Sequence, residues 1–578
     1  MANLKEPFCS WDSTIDERYN DYTTGNTDEV LPGITRPLPA DLIREWNYQW
    51  LVVGTRELQI EDLVPIPDKP GPTMLPVVGG QFCVNISIVN ALTSSFETGG
   101  SADYLKQFFE VDEEVTAEVA QDTSRAEAVQ ERLMARFVRA RELVDADAER
   151  AKAHYTATLA RDWPAVDDAG LVAAIHETTD HIGDIFFTHY WCSSGGGLQT
   201  TLLDGLLSEH VPDHPAGWMT GLTSGLTDVE SARPSKAIWD LSRLAIARPS
   251  LAEELAGTAV DGFEARLASP PNDDWAAFAR EYAAFIADLG FRGQRETDPS
   301  CTTWNDSPQF VLSSLQADLP LGDEHSPYLR EERSAADRVA LEAEVEAALP
   351  EDQRPEFRRL LDLVQAMNGK RETTKASWTR LCRTYRQPIL EAGRRLVQRG
   401  DIDDVEDVWF LRLVELPEAL DGGLSAAELQ DAIVERRHEY EVLHHYELPI
   451  IFQRPVEATP RETADAGGET SFEGIGVSPG QARGRARVVL SADGASEATI
   501  LPGEILVAPV TDAPWTPLFL PAAGVVVETG GLLSHAATVA REYGIPAVTG
   551  IRGATDFIAT GTMLSIDGST GTVTIEEG

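Results

Sequence analysis

The sequence predicts an α+β protein, a long, mostly helical part followed by a small α/β domain. Three observations lead there. From about residue 100 to 450, charged runs carry apolar residues at three- and four-residue spacing, the period of helices with one buried face. Near the end, Ala523 to Val527 (Ala-Gly-Val-Val-Val) reads as a buried strand; after Gly530-Gly531, an apolar helical face runs from Ala536 to Tyr543, stopped by Gly544 and Pro546. Between these parts, residues 455–471 are polar, contain Pro and Gly, and are poor in apolar side chains, as a flexible linker is. At 578 residues the chain exceeds one ordinary core. The expected division is a mixed part over 1–100, a helical part over 101–454, the linker over 455–471, and the α/β domain over 472–578.

Composition narrows the function classes. The chain carries 94 acidic against 48 basic residues, a formal charge of −46. That balance argues against nucleic acid and anionic membrane surfaces as partners. Seven residues are lysine, so arginine supplies most of the positive charge. Cys9, Cys83, Cys192, Cys301 and Cys382 form no CxxC pair and suit a reducing cytoplasm. No N-terminal signal pattern and no bilayer-length apolar run is present, so a cytoplasmic protein is expected.

In chain order, turns are expected at Pro37-Leu-Pro39 and Pro70-Gly-Pro72, and Gly79 to Ser87 reads as a strand. Helices are expected over Thr123 to Leu159, Ala335 to Leu349 and Gln387 to Arg399, with charge runs such as Glu113-Glu114 and Glu331-Glu-Arg-Ser on solvated faces. His176-Glu-Thr-Thr-Asp-His181, with His189 later, invites a metal reading, but a spacing of five leaves one helical face. No metal site is expected. His438, His444 and His445 read as an exposed helix end.

Two charged stretches stand out. In Gly290-Phe-Arg292-Gly-Gln-Arg295-Glu296-Thr-Asp298, arginines beside carboxylates suit either a phosphoryl clamp or an ion-pair scaffold. In Gly369-Lys370-Arg371-Glu372-Thr-Thr-Lys375, two of the seven lysines fall close together, giving either an anion-attracting patch or a helix laced by ion pairs. The linker, if extended, would span roughly 50 Å, enough for a small domain to swing. His535 sits at the start of the last expected helix, where backbone N–H groups and the helix dipole favour an anion. A phosphorylated imidazole would gain from that placement, whereas a half-buried structural histidine is the plainer reading.

The residues around His535 resemble the phosphohistidine swivelling domain of the PEP-utilising enzymes. The resemblance rests on Gly530-Gly531, Ser534-His535-Ala536, Ala540-Arg541-Glu542 and Gly544-Ile545-Pro546-Ala547-Val548. Gly474-Ile-Gly-Val-Ser-Pro-Gly480 and Thr511-Asp-Ala-Pro-Trp-Thr-Pro517 agree with it. It implies that His535 carries a phosphoryl group, with Ser534 and Gly531 shaping the site. The N-terminal stretch holding Asn26, Glu29 and Thr35 resembles the acceptor-binding region of the branch that includes rifampicin phosphotransferases and phenylphosphate synthases. Gly290 to Asp298 resembles the Gly-x-Arg-x-x-Gly-Glu-x-Asp segment of that branch, with Arg295 where the family has glycine. Gly400 to Leu411 also follows the family pattern.

In layout the chain resembles the phenylphosphate synthase type. No phosphate-cradling Gly-rich loop is apparent before residue 450, and few residues follow His535, so neither an ATP-grasp domain nor a barrel is expected here. A separate ATP-grasp subunit, binding ATP and Mg²⁺, would then phosphorylate His535. The acceptor would be a small hydroxylated aromatic compound, a phenol or alkylphenol. Arg292, Arg295, Arg371 and Lys375 are candidates for holding phosphoryl oxygens, and Glu296 or Asp298 for taking the hydroxyl proton. The alternatives are part of an antibiotic or other alcohol phosphotransferase, or a non-catalytic binding homologue.

Overall fold

The computed structural model describes residues 3–25, 27, 31, 33–61, 74–93, 126–215, 217–226, 229–461, 464, 467–491, 500–531 and 534–576. Asn26, Glu29, Pro70 to Pro72 and Glu113-Glu114 lie outside them. The architecture is α+β, with long helices through most of the chain and an α/β domain at its end. No helix of the described residues is long and apolar enough to cross a membrane. The chain divides into two units, residues 1–195, 295–300 and 374–462, and residues 196–294, 301–373 and 463–578.

In the first unit, Pro37-Leu-Pro39 does not make the expected turn. It opens the helix Pro37–Leu58. The first turn of a helix has no intrahelical partner for its N–H groups, so proline loses nothing there. Trp46 and Trp50 of this helix are buried. The Trp46 ring lies 4.6 Å from Phe186 and 5.6 Å from Trp378, and the Trp50 ring 4.4 Å from Tyr190. Helices Ala126–Ala160, Arg386–Arg399 and Ala426–Leu443 complete the helical framework here. Gly400, in the left-handed conformation at φ 79°, ends the second of these.

The stretch Gly79 to Ser87 is a strand only in part. After Gln81–Phe82 and Val84–Asn85 a helix starts at Ile86, and the Asn85 side chain accepts a hydrogen bond from the Ile88 amide at 3.0 Å. An asparagine in that role caps the helix and ends the strand. Strand Asp21–Thr23 pairs with Val84–Asn85 on one side and Ile451–Gln453 on the other. Within residues 455–471, Glu457–Pro460 is a strand paired with Leu4–Lys5 and Tyr446–Glu447. Ladder hydrogen bonds there satisfy backbone groups that a linker leaves to water.

In the second unit, the helix expected from Ala335 begins earlier, at Pro327, and runs to Ala348. Leu203, Leu207, Trp218, Val345, Phe357 and Leu361 form the core of the helical part. The α/β domain contributes strands β1 (Ser471–Glu473), β2 (Ile475–Ser478), β3 (Gln481–Val488), β4 (Ile505–Ala508), β5 (Gly524–Val527), β6 (Ala547–Thr549), β7 (Met563–Asp567) and β8 (Thr572–Ile575). They form one sheet in the order β2-β6-β5-β4-β3-β7-β8-β1. The centre, β3-β4-β5-β6, is parallel and the flanks are antiparallel. Val525, Val526 and Val527 on β5 are all buried. A continuous apolar run is what a parallel strand covered on both faces requires. Each such valine contributes about 1.5–3 kcal/mol by leaving water. The core therefore fixes where β5 ends, and with it the start of the segment leading to His535.

Candidate active site

Beyond β5 the chain turns at Thr529-Gly530-Gly531 and enters the helix His535–Tyr543. Gly530 has φ +145°, and a Cβ there would lie 3.0 Å from both Cβ and Oγ of Ser534. Glycine is needed at this position, by conformation and by space. Gly531 has no such constraint; its carbonyl accepts the Ser534 amide at 3.0 Å. Ser534 is the N-cap, and its hydroxyl accepts the Ala537 amide at 3.3 Å. His535 is therefore the first residue of the helix, as the sequence implies, beside the partial positive charge of its N-terminus.

The imidazole is buried, with 1% of its surface exposed. Its Nε2 lies 3.2 Å from the Thr516 hydroxyl, whose single proton points to a carbonyl, that of Ser231 at 3.0 Å or Ala513 at 2.8 Å. With that proton committed, the Thr516 oxygen accepts and Nε2 carries the hydrogen. The Phe519 ring stands edge-on, 6.4 Å from the imidazole. Thr516 belongs to the Thr511–Pro517 motif noticed in the sequence, which gave it no role. Ser231 had no sequence signal, because a backbone acceptor leaves no trace in residue type.

Arg292, buried, reaches Glu230 at 3.5 Å, and Glu230 precedes Ser231. Its guanidinium covers the Phe291 ring at 4.6 Å. Glu230 also binds Arg233 at 2.8 Å. Arg292 thus supports the loop that meets Thr516.

Further along the His535 helix, a small cleft of about 20 Å³ is lined by Thr223, Asn368, Arg371, Glu372, Thr538, Arg541 and Glu542, among others. Arg371 donates to Glu372 at 3.0 and 3.2 Å. Arg541 donates to the Ala537 carbonyl at 3.0 Å. Burial, and beyond it the charge of Arg371, pull the Arg541 guanidinium down to about 10 against the opposing pull of Glu542. The Glu542 carboxylate accepts the Leu226 amide at 3.2 Å, and burial pushes its carboxyl up to about 8. Glu372 and Glu542 also line the cleft, so its two guanidiniums face two acidic side chains.

The remaining sequence candidates, Arg295, Glu296, Asp298 and Lys375, lie in the first unit, while His535, Ser534, Gly531, Arg292 and Arg371 lie in the second. Arg295 adopts φ 52°, the conformation the family's glycine would supply. It donates to the Ile34 carbonyl at 2.8 Å and approaches Asp298 at 3.5 Å. The Asp298 carboxylate accepts from the Ser300 amide at 2.9 Å and hydroxyl at 2.6 Å. Arg383 donates to the carbonyls of Asp298 at 2.5 Å and Arg295 at 3.3 Å, and Arg386 to that of Ser300 at 3.1 Å. Glu296 is buried and Lys375 half-buried. Thr35 is buried, its amide donating to Gly80 and its carbonyl accepting from Trp11. Among the two roles open for Arg295 and Asp298, these bonds are those of a scaffold.

Known proteins match parts of the chain. A family model of the PEP-utilising enzyme mobile domain matches residues 500–571, and one of the rifampicin phosphotransferase fourth domain matches residues 189–372. The chain is 33% identical over 311 residues to the prodigiosin synthesizing transferase PigC of Serratia marcescens, covering 52% of this chain and 33% of that protein. It is 30% identical over 346 residues to the rifampicin phosphotransferase of Streptomyces sviceus, covering 59% and 39%. The Bacillus subtilis rifampicin phosphotransferase is 29% identical over 301 residues, covering 50% and 34%. The matched part thus spans about a third to two fifths of the length of these relatives.

Proposed function

We propose that this chain, which belongs to the PEP-utilising enzyme family, carries a phosphoryl group on His535 from ATP to the hydroxyl of an aromatic acceptor. The observation that carries the reading is His535 itself, capped by Ser534 at the start of a helix behind a buried strand, within the segment matched by the mobile-domain model. In the first step a ring nitrogen of His535 attacks a phosphorus of ATP; the P–O bond to the departing phosphate group breaks and a P–N bond forms. In the second, the acceptor hydroxyl attacks phosphorus in line, its proton passes to a base, and the P–N bond breaks to return the imidazole. A separate ATP-grasp subunit would bind the ATP and the Mg²⁺ that accompanies it.

The conformation described here is a docked one. His535 is covered, Nε2 is held by Thr516, and Thr516 meets Ser231. Attack on phosphorus needs about 3–3.5 Å of approach along an open line, so the His535 face must first separate from Ser231. Such separation breaks the bonds of Thr516 to Ser231, Leu226 to Glu542, Ser334 to the Arg541 carbonyl and Arg330 to the Leu520 carbonyl. For the acceptor, a phenol or alkylphenol is the reading that the layout resembling phenylphosphate synthases implies. The match to the rifampicin phosphotransferase fourth domain favours a second reading, a rifampicin-like antibiotic as acceptor.

The test is intact-protein mass after incubation with Mg²⁺-ATP and an ATP-grasp partner. Wild type is expected to gain one acid-labile phosphoryl group, and His535→Ala none. The loaded protein is then offered phenol, alkylphenols and a rifampicin-like antibiotic in turn, and the acceptor that discharges it decides between the two readings. A protein that stays unmodified with an active partner would be a binding homologue, and the proposal fails.

A further inference from the structure

We propose that His154, Glu177 and His181 form a binding site for a divalent transition-metal ion, zinc by the chemistry of its ligands. All three lie in the first unit, His154 on the helix Ala126–Ala160, and Glu177 and His181 on the helix Asp168–His210. A ring nitrogen from each histidine and a carboxylate oxygen of Glu177 lie within 4.8 Å of one another. The two imidazoles are 4.6 Å apart between centroids, and Glu177 reaches His181 Nε2 at 4.0 Å. Glu177 and His181, four residues apart, share a helical face. The spacing that tells against His176 with His181 does not bear on this set, whose third member comes from another helix.

A second observation concerns which nitrogen of His154 holds a lone pair. Thr384 donates its hydroxyl proton to the Leu381 carbonyl at 2.7 Å, so it accepts from the Thr178 hydroxyl, 3.1 Å away. With its own proton spent, Thr178 accepts from His154 Nε2 at 3.2 Å. The chain of hydroxyls places the hydrogen on Nε2 and the lone pair on Nδ1. Metal-binding histidines are fixed in this way, with the non-ligating nitrogen donating to an outer partner. Thr178 and Thr384 are buried, so that outer partner is rigid.

Two imidazole nitrogens and one carboxylate are the ligand set of open zinc sites, with the fourth position left to water or an added ligand. Magnesium and calcium prefer oxygen alone. A cleft of about 140 Å³ lined by His154, Glu177, Thr178, Arg161 and Trp163 provides space for that ligand. Bound zinc would pin the two helices together. This inference does not rest on the role proposed for His535.

The experiment uses the full chain without an affinity tag, stripped of metal and titrated with zinc against a chromophoric chelator. One equivalent is expected to bind, with a rise in Tm. Outer-shell partners contribute about 10–100-fold to metal affinity, so Thr178→Val should weaken zinc by at least about tenfold. His154→Ala, His181→Ala and Glu177→Gln should weaken it at least as much. His176→Ala, on the same helix and exposed, should leave it unchanged. Glu177 is exposed, so Glu177→Gln keeps the fold even if a histidine variant does not. Absence of stoichiometric binding to wild type, or affinity untouched by Glu177→Gln and Thr178→Val, overturns the proposal.

Discussion

Two buried basic side chains in this molecule are held in opposite ways. His535 begins a helix, and its Nε2 meets the side-chain hydroxyl of Thr516. Arg383, in the other unit, donates to the backbone carbonyls of Asp298 and Arg295, while neighbouring Arg386 donates to those of Ser300 and Pro299. A hydrogen bond to a hydroxyl contributes about 0.5–1.5 kcal/mol net and exchanges readily for another partner. Charged donors spread over several carbonyls contribute more and can leave only if the loop between residues 295 and 300 reorganises. The first arrangement suits a group that changes partners during a reaction; the second suits a group that keeps a loop in shape. Burial alone does not separate the two.

The sharpest way to break this comparison is Arg383→Ala. Arg383 is 3% exposed, and its loss takes the charged donor from the Asp298 carbonyl, while the Arg295 carbonyl keeps the Asp298 amide at 2.8 Å. An unsatisfied buried polar group costs about 1–3 kcal/mol, so the variant should lose roughly 2–3 kcal/mol in denaturant unfolding. His535→Ala should cost far less stability while abolishing phosphorylation. If Arg383→Ala melts like wild type and fails only in transfer, Arg383 belongs to the chemistry and the contrast collapses.

A smaller effect follows from Glu542, in the helix that His535 begins. Burial raises its carboxyl to about 8, well above the ordinary carboxylate range. Between the unfolded value near 4.5 and about 8, the folded protein holds a proton that the unfolded chain has lost. Stability therefore falls as pH rises through that window, by at most about 1.4 kcal/mol per pH unit. Glu542→Gln, which keeps the acceptor for the Leu226 amide, should flatten the decline and be more stable than wild type at pH 8. Asp318, also raised to about 8 by burial, adds a parallel slope that Asp318→Asn would remove. Melting curves at pH 5, 6.5 and 8 read both; a wild-type Tm that rises across the range would refute the assignment.

What the sequence disclosed follows the range of the interactions involved. The strand, the glycine turn and the capped helix around His535 are set by residues near one another in the chain, so period and turn chemistry reveal them. The long helices are legible for the same reason, with starts misplaced where proline serves as a first-turn residue, as at Pro37 and Pro327. The partners of the charged residues were not legible. Thr516 with Ser231, Arg383 with the 295–300 loop, and His154 with His181 join positions far apart in the chain, and a backbone acceptor can belong to any residue type.

One hint was present, at Arg295. The family pattern that this stretch resembles has glycine at this position; arginine stands here, and the backbone adopts φ 52°. For a residue with a Cβ the left-handed region costs roughly 1–2 kcal/mol, which the Arg295 side chain offsets through Ile34 and Asp298. Two substitutions separate these terms. Arg295→Ala loses the side-chain bonds and keeps the backbone strain, whereas Arg295→Gly loses the same bonds and relieves it. The glycine variant should be the more stable of the two by about 1 kcal/mol, less than the conformational difference because glycine is also freer when unfolded. Urea unfolding of the pair measures that difference directly. Equal stabilities would mean that the loop relaxes away from φ 52° once the arginine is gone, and that the side chain, rather than the carbonyls gripped by Arg383, sets its shape.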